Sequence, residues 1–267
     1  MGIPNKSASS ARAGTQSIER ALWILKEVGS ANTTGCTMQT LVEQVGLNRT
    51  TVYRLVKCLL DQGAIQQNIR SKRLFLGPLA LALGVAAQQQ LDLKQIFSPA
   101  ATRLADLTGD TCFIMLRSGA DAVCIDRRLG SYPIKPLTVE IGMKRPLGIG
   151  AGSLAILAAM PELEINNVIR ANTRALSTYG QSPATLMKSV RTTQKLGYVA
   201  APVHELERVI AIGLPILDRT QNPVAALSIA AIAERMQGKR RGELLELLQT
   251  ETKRLHEILC KINLPGS

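Results

Sequence analysis

Two sets of side chains in this sequence could do chemistry, and both read as binding surfaces. Between positions 48 and 57 stand Asn48, Arg49, Thr50, Thr51, Tyr53, Arg54 and Lys57. Arginine pairs bidentately with guanine and asparagine with adenine, while threonine and tyrosine hydroxyls bond phosphates or base edges. No acidic residue follows in this run before Asp61, so its field attracts a polyanion throughout. A second cationic group, Arg70, Lys72 and Arg73 within NIRSKR, is suited to a phosphate backbone or a minor groove. The partner expected from both is double-stranded DNA.

The other set lies in GIGAGSLA, where Gly148, Gly150 and Gly152 lead into an apolar run that starts at Ser153. A helix opening here offers unbonded backbone N–H groups, and with the Ser153 hydroxyl it can hold a carboxylate. A glycine-rich strand-to-helix turn with no ligand is the alternative. Phe113 and Met115, alternate residues of one strand-like run, either line a cavity or belong to the core. Catalysis is not expected: GAGSLA is not a GxSxG elbow, no phosphate-binding P-loop occurs, and the two histidines, His204 and His256, lie outside any HExxH pattern. Five scattered cysteines without a CxxC pair suggest reduced thiols, with neither disulfides nor zinc. No cofactor and no metal are expected.

Elements must hold these groups in place. Residues 1–16 are small and polar and read as a flexible tail. Ser17 is a plausible N-cap for a first helix with Ile18, Leu22, Leu25 and Val28 inward. Thr37 caps a second, short helix, and as a polar residue at its start joins the DNA-contacting candidates. Gly46 supplies the turn, and Asn48 caps a third helix that turns Val52, Leu55, Val56 and Leu59 inward and stops at Gly63. Two helices across a short glycine turn make a helix-turn-helix. Short extended runs at 64–67 and 74–76 flank NIRSKR as a wing, so 17–77 is expected to be a winged helix-turn-helix domain.

Residues 78–93, rich in Ala, Leu and Gln, suit a linker helix. Over 94–262 the chain alternates: a helix from about Ser98 to Thr108, strands at 110–117, 122–128 and 134–139, a helix within GIGAGSLAILAAMP, helices at 162–171 and 183–196, strands at 197–201, 209–217 and 224–231, and a closing helix at 238–262. The fold class is α+β.

Charge supports the division. The chain of 267 residues carries a formal +12, and residues 1–77 hold ten Lys and Arg against four Asp and Glu. The start lacks the apolar core of a signal peptide and no long apolar run occurs, so a cytoplasmic protein with no membrane partner is expected.

The segments SIERALWILKEV and LVEQVGLNRTTVYRLVKCLLDQGAIQQNIRSKRLFLGPLALALG, followed by GIGAGSLAILAAMP, KLGYVA and IGLPILDRTQNPVAALSIAAIAERM, resemble successive blocks of the IclR-type transcriptional regulators over roughly residues 15–260. The resemblance implies a homodimer or homotetramer joined through the first and linker helices. It also implies a GAF-like effector-binding domain that closes on a small organic acid. By position, the family's ligand contacts fall on Gly150, Ala151, Ala201, Ala211, Ser228 and Ala230. Here Ala201, Ala211 and Ala230 replace an acidic residue, a thiol and a hydroxyl. Their small size suggests an enlarged, apolar cavity and an aromatic or hydroaromatic acid. His204 stands where members often have an acidic residue, and Arg208 where many have glycine. An architectural DNA-binding protein that senses nothing, and a small-molecule hydrolase, are the alternatives.

Overall fold

The computed structural model describes residues 15–31, 34–90, 93–203 and 206–262, with the backbone alone for 87–90. His204 and most of the expected tail lie outside the described residues. The chain divides into two units, Met1–Leu91 and Asp92–Ser267.

The first unit contains α1 (Gln16–Ser30), α2 (Met38–Val45), α3 (Arg49–Asp61), a hairpin of β1 (Ile65–Gln67) and β2 (Leu74–Leu76), and α4 (Pro78–Gln90). The Thr37 hydroxyl accepts from the Thr40 amide at 3.1 Å and caps α2, and Asn48 Oδ1 accepts from the Thr51 amide at 2.7 Å and caps α3. Gly46 between them takes φ +64°, a left-handed turn costly to a side chain. Ile24, Leu41, Val52, Ile65 and Leu74, each at most 1% exposed, form the centre of the core. Each such burial is worth roughly 1.5–3 kcal/mol.

One expectation for α1 fails and a second holds only in part. Ser17 lies inside the helix, which begins after Thr15 with no side-chain cap. Of the expected inward residues, Val28 is buried and Leu25 packs against the core, while Ile18 and Leu22 are 62% and 50% exposed and Ile24, at i, i+4 with Val28, is buried in their place. Apolar residues wrap much of α1, so spacing alone allowed either stripe to be the buried one.

The second unit is a six-stranded antiparallel sheet in the order β5-β4-β3-β8-β7-β6. Its strands are β3 (Thr111–Ser118), β4 (Asp121–Arg128), β5 (Lys144–Pro146), β6 (Val199–Pro202), β7 (Val209–Leu217) and β8 (Pro223–Ile232). Alternation sorts its side chains into two cores. Cys112, Ile114, Ile212, Leu214, Leu227 and Ile229 pack beneath α5 (Leu93–Thr108) and α9 (Gly238–Lys261). Phe113, Met115, Ala211, Ala226 and Ala230 pack beneath α6 (Ala151–Ala158), α7 (Glu162–Ser177) and α8 (Pro183–Leu196). Among the described residues no helix is long and apolar enough to cross a membrane.

Three boundaries differ from expectation. Residues 134–139 are not a strand; Pro133 and Pro136 remove ladder donors there, and the edge strand is Lys144–Pro146. α5 starts at Leu93 and runs through Pro99. An interior proline costs roughly 3 kcal/mol, but Phe97, Ala100, Ala101 and Leu104 are fully buried around it and offset that cost. α7 continues past residue 171 to Ser177, with Leu176 buried in its last turn.

Candidate DNA interface and effector cavity

α3 and the wing form one polar surface. Arg49, Thr50, Tyr53, Arg54 and Lys57 are exposed on α3, and Thr51 is half-buried. Arg49 lies over the Tyr53 ring at 5.3 Å from its centroid and donates to its hydroxyl at 3.2 Å. That contact stiffens a long side chain before any partner arrives. The wing tip is built by Asn68, whose Oδ1 accepts from the Arg70 and Ser71 amides at 3.0 and 2.9 Å. Lys72 is left-handed at φ +56°, and Gln67 Nε2 donates to its carbonyl at 2.9 Å. Thr37, Gln39, Arg49, Tyr53, Gln67 and Lys72 border an open cleft of about 740 Å³ between the helices and the wing.

Not every expected contact keeps its groups free. Asn48 uses one lone pair of its Oδ1 on the α3 cap, which leaves the other lone pair and the Nδ2 donors for a partner. Arg73 Nη1 donates to the carbonyls of Thr34 and Gly35 at 3.1 and 3.0 Å, which ties the wing to the segment before α2. Arg73 is nevertheless exposed, and these two bonds do not engage its other guanidinium nitrogens. Gln67, Ser71 and Gln39 border the same cleft and were not singled out from sequence; the signal available was polarity beside the basic residues.

In the second unit, a small cavity opens between the α6 N-terminus and the sheet. Of the expected residues, Phe113, Met115, Gly150, Ala151, Gly152, Ser153, Ala211, Ser228 and Ala230 line it. The register explains their convergence: Phe113 pairs with Ser228, Ser228 with Gly213, and Ala230 with Ala211. A Cβ on Gly213 would fall 2.8 Å from the Ala151 carbonyl oxygen, so glycine there lets the first turn of α6 rest on the sheet.

Ala201 pairs with Ala211 on the strand beyond but does not line the cavity. Ser153 is also committed. Its Oγ donates to the Pro146 carbonyl and accepts from the Gly148 amide, both at 3.0 Å, so its proton is spent on holding the loop. The expected enlargement is absent, since the cavity measures only about 40 Å³. Met115 fills the space, and its Cγ would stand 2.9 Å from a Cβ on Gly152.

Sequence reasoning missed Arg145, Thr138, Val139, Ile149 and Val203, which complete the lining. Arg145 is 7% exposed and donates through Nη2 to the Thr138 carbonyl. Its Nη1 lies 3.8 Å from the Cβ position of Gly150, beside the α6 N-terminus. Arg127 Nη1 donates to the Val139 carbonyl at 3.2 Å. Two arginines therefore hold the irregular segment at 138–139 against the cavity. Arg208 has φ +61° and pairs with Glu234; the left-handed backbone accounts for the glycine of the family pattern at this position.

A helix-turn-helix with an exposed cationic face on its second helix, followed by an α+β domain with a small cavity, defines a DNA-binding transcriptional regulator of the winged-helix class. The chain belongs to the IclR family: the IclR helix-turn-helix domain matches residues 17–68, and the bacterial transcriptional regulator IclR C-terminal domain matches residues 85–256. It is 28% identical over 214 residues to the HTH-type transcriptional regulator KipR of Bacillus subtilis (strain 168), covering 79% of this chain and 84% of that one. Its fold matches that of an IclR regulator from Silicibacter sp. TM1040 at TM-score 0.78 and 21% identity, over 93% of this chain and 98% of the other. It also matches an IclR homologue from Microbacterium hydrocarbonoxydans solved with 4-hydroxybenzoate, at TM-score 0.67 and 17% identity, over 92% and 100% of the two chains.

Proposed function

We propose that the chain is a ligand-responsive regulator whose α3 lies in the major groove with the wing alongside, and whose affinity for its operator changes when a small organic acid enters the C-terminal cavity. The observation that carries the DNA half is the exposed face of Arg49, Tyr53, Arg54 and Lys57, continued by Arg70 and Lys72. Base reading needs such side chains at the start of a recognition helix. The effector half rests on Arg145 lying beside the α6 N-terminus, at one end of a mostly apolar cavity. A carboxylate suits the polar end, and Phe113, Ile149 and Val203 suit an apolar body.

The volume bears on which acid. The cavity is small, about 40 Å³. A two- or three-carbon acid needs slight widening, whereas an aromatic acid enters only when Met115 swings aside, which its unbranched thioether permits. The 4-hydroxybenzoate of the Microbacterium protein makes that second case worth testing here.

A homodimer or homotetramer fits the reading. Leu81 and Leu83 on α4 are 71% and 60% exposed, and with Ile18 and Leu22 they offer apolar area for a second copy. Two winged helices would then take half-sites one helical turn, ~34 Å, or a multiple apart. A regulator of this kind works on DNA in the bacterial cytoplasm, by binding and without a catalytic step.

The test is fluorescence-anisotropy binding to a duplex selected with the full-length protein, combined with thermal shifts, against glyoxylate, pyruvate and 4-hydroxybenzoate. One acid should stabilise the protein and shift the DNA affinity together, because only differential affinity for two states couples the sites. Specific DNA binding that ignores all three acids would favour an architectural role for the second domain.

A further inference from the structure

The chain's positive charge is concentrated twice. Residues 1–77 carry a net +6, and residues 165–203 hold five Lys and Arg with no Asp or Glu. The remaining 151 residues hold seventeen Lys and Arg against sixteen Asp and Glu, so nearly all of the +12 sits in these two stretches. The winged helix accounts for the first. The second covers α8 and all of α7 after its first turn, where Glu162 and Glu164 stand and Glu164 is taken up by Arg117, in a domain whose cavity needs no such excess.

Its five cations, Arg170, Arg174, Lys188, Arg191 and Lys195, are all exposed. On α8 the spacings of three and four residues put Lys188, Arg191 and Lys195 on one stripe, opposite the buried Leu186, Val190 and Thr193. With Ala184, Met187 and Thr192 they border a shallow groove along the helix. Among the described residues none of the five meets a carboxylate. Elsewhere in the same domain Arg103, Arg117, Arg128, Lys144, Arg208, Arg235 and Arg240 each do. Three neighbouring pairs of like charge on helix faces repel one another, a tension that a polyanion relieves.

We propose that the α7–α8 hairpin is a second contact with the DNA phosphate backbone, made to duplex beyond the stretch that the winged helix covers. A protein partner is the weaker fit. Interfaces with proteins are anchored by buried aromatic and apolar side chains, and this face presents cations, hydroxyls and a half-buried Met187. Phosphates ask only for charge and donors. Once the winged helix holds one part of a duplex, the rest is present at high effective concentration, so a few cations suffice.

The proposal rests on the winged-helix reading, and the experiment separates the two. A duplex selected with the full-length protein is prepared at about 25 and about 70 base pairs with the same centre, and affinity is measured over a salt series. The full-length wild type is compared with the Lys188→Gln, Arg191→Gln, Lys195→Gln triple variant, whose glutamines keep helix propensity. The wild type should bind the long duplex more tightly and with a steeper salt dependence. The variant should lose that gain, with a slope flatter by up to ~2.7 for three phosphate contacts, and should bind the short duplex as the wild type does. Identical behaviour on the long duplex, or equal losses at both lengths, would overturn the proposal. An Arg54→Ala protein is the control, since damage to the winged-helix contact appears at both lengths.

Discussion

The most buried ion pairs of the second unit and the exposed cations of the first treat positive charge in opposite ways. On α3 and the wing tip, Arg54, Lys57, Arg70 and Lys72 are exposed and, among the described residues, meet no carboxylate. In the second unit the Asp110 side chain, 1% exposed, receives Arg235 at 2.7 Å and Arg240 at 2.8 Å, and Arg103 grips Glu251 through two nitrogens at 2.9 and 2.6 Å. Cations satisfied by neighbouring carboxylates act as fasteners; cations left without them are available to a partner. A nucleic-acid surface is made as much by withholding acids as by supplying bases. The α7–α8 hairpin stands out within the second unit because five exposed cations cluster there with no acidic residue between Arg170 and Lys195.

Removing a fastener should have the largest effect. Asp110→Ala strands two guanidiniums, and the Thr108 carbonyl, which already accepts from both at 2.9 and 2.7 Å, cannot balance their charge. Breaking a buried pair costs roughly 3–5 kcal/mol. With Arg235 and Arg240 side chains 21% and 36% exposed, water moderates the loss, and about 3 kcal/mol is expected. The sole tryptophan, Trp23, lies in α1, so its fluorescence follows the first unit while circular dichroism follows both. Denaturant unfolding should show the dichroism transition moving down with the Trp23 transition in place. If the two move together, the units unfold as one and the fasteners of the second unit stabilise both.

Arg54→Ala should do the reverse. Stability should hardly change, and operator affinity should fall by roughly 1–3 kcal/mol. Loss confined to one operator position marks a base contact, and uniform loss over all sequences marks a phosphate contact.

What could be read from sequence follows the range of the forces involved. The helix-turn-helix was legible because Thr37, Gly46 and Asn48 each act on backbone within four residues of themselves. The cavity was legible on its strand and helix-start side, where alternation and the GIGAGS glycines are local signals. Arg145 was not, because its meaning depends on Thr138 being folded back against it and on Gly150 standing beside its guanidinium. The visible clue was a lone arginine just ahead of a long apolar run. Ser153 was misread for the same reason: the Pro146 carbonyl that takes its proton lies seven residues away across a turn. The choice between stripes on α1 needed α3 and β2 in place.

The smallest expected effect is kinetic and marks where DNA lies. Cys58 is exposed on α3, one helical turn after Arg54 and therefore on the same face, and Cys260 is exposed on α9. Burial raises the thiols of Cys36 and Cys112, and that of Cys124 is pushed up to about 11, chiefly by burial. At pH 8 a thiol near 11 is ionised in about one molecule in a thousand, and the thiolate is the species that reacts. An aromatic disulfide reagent should therefore modify two thiols quickly in the native protein and the other three only on unfolding. Adding the selected duplex should slow Cys58 severalfold and leave Cys260 unchanged, because only α3 enters the groove. Cys58 modified at the same rate with and without saturating DNA would mean that this face of α3 points away from the duplex, and Arg54 would have to act from a different geometry.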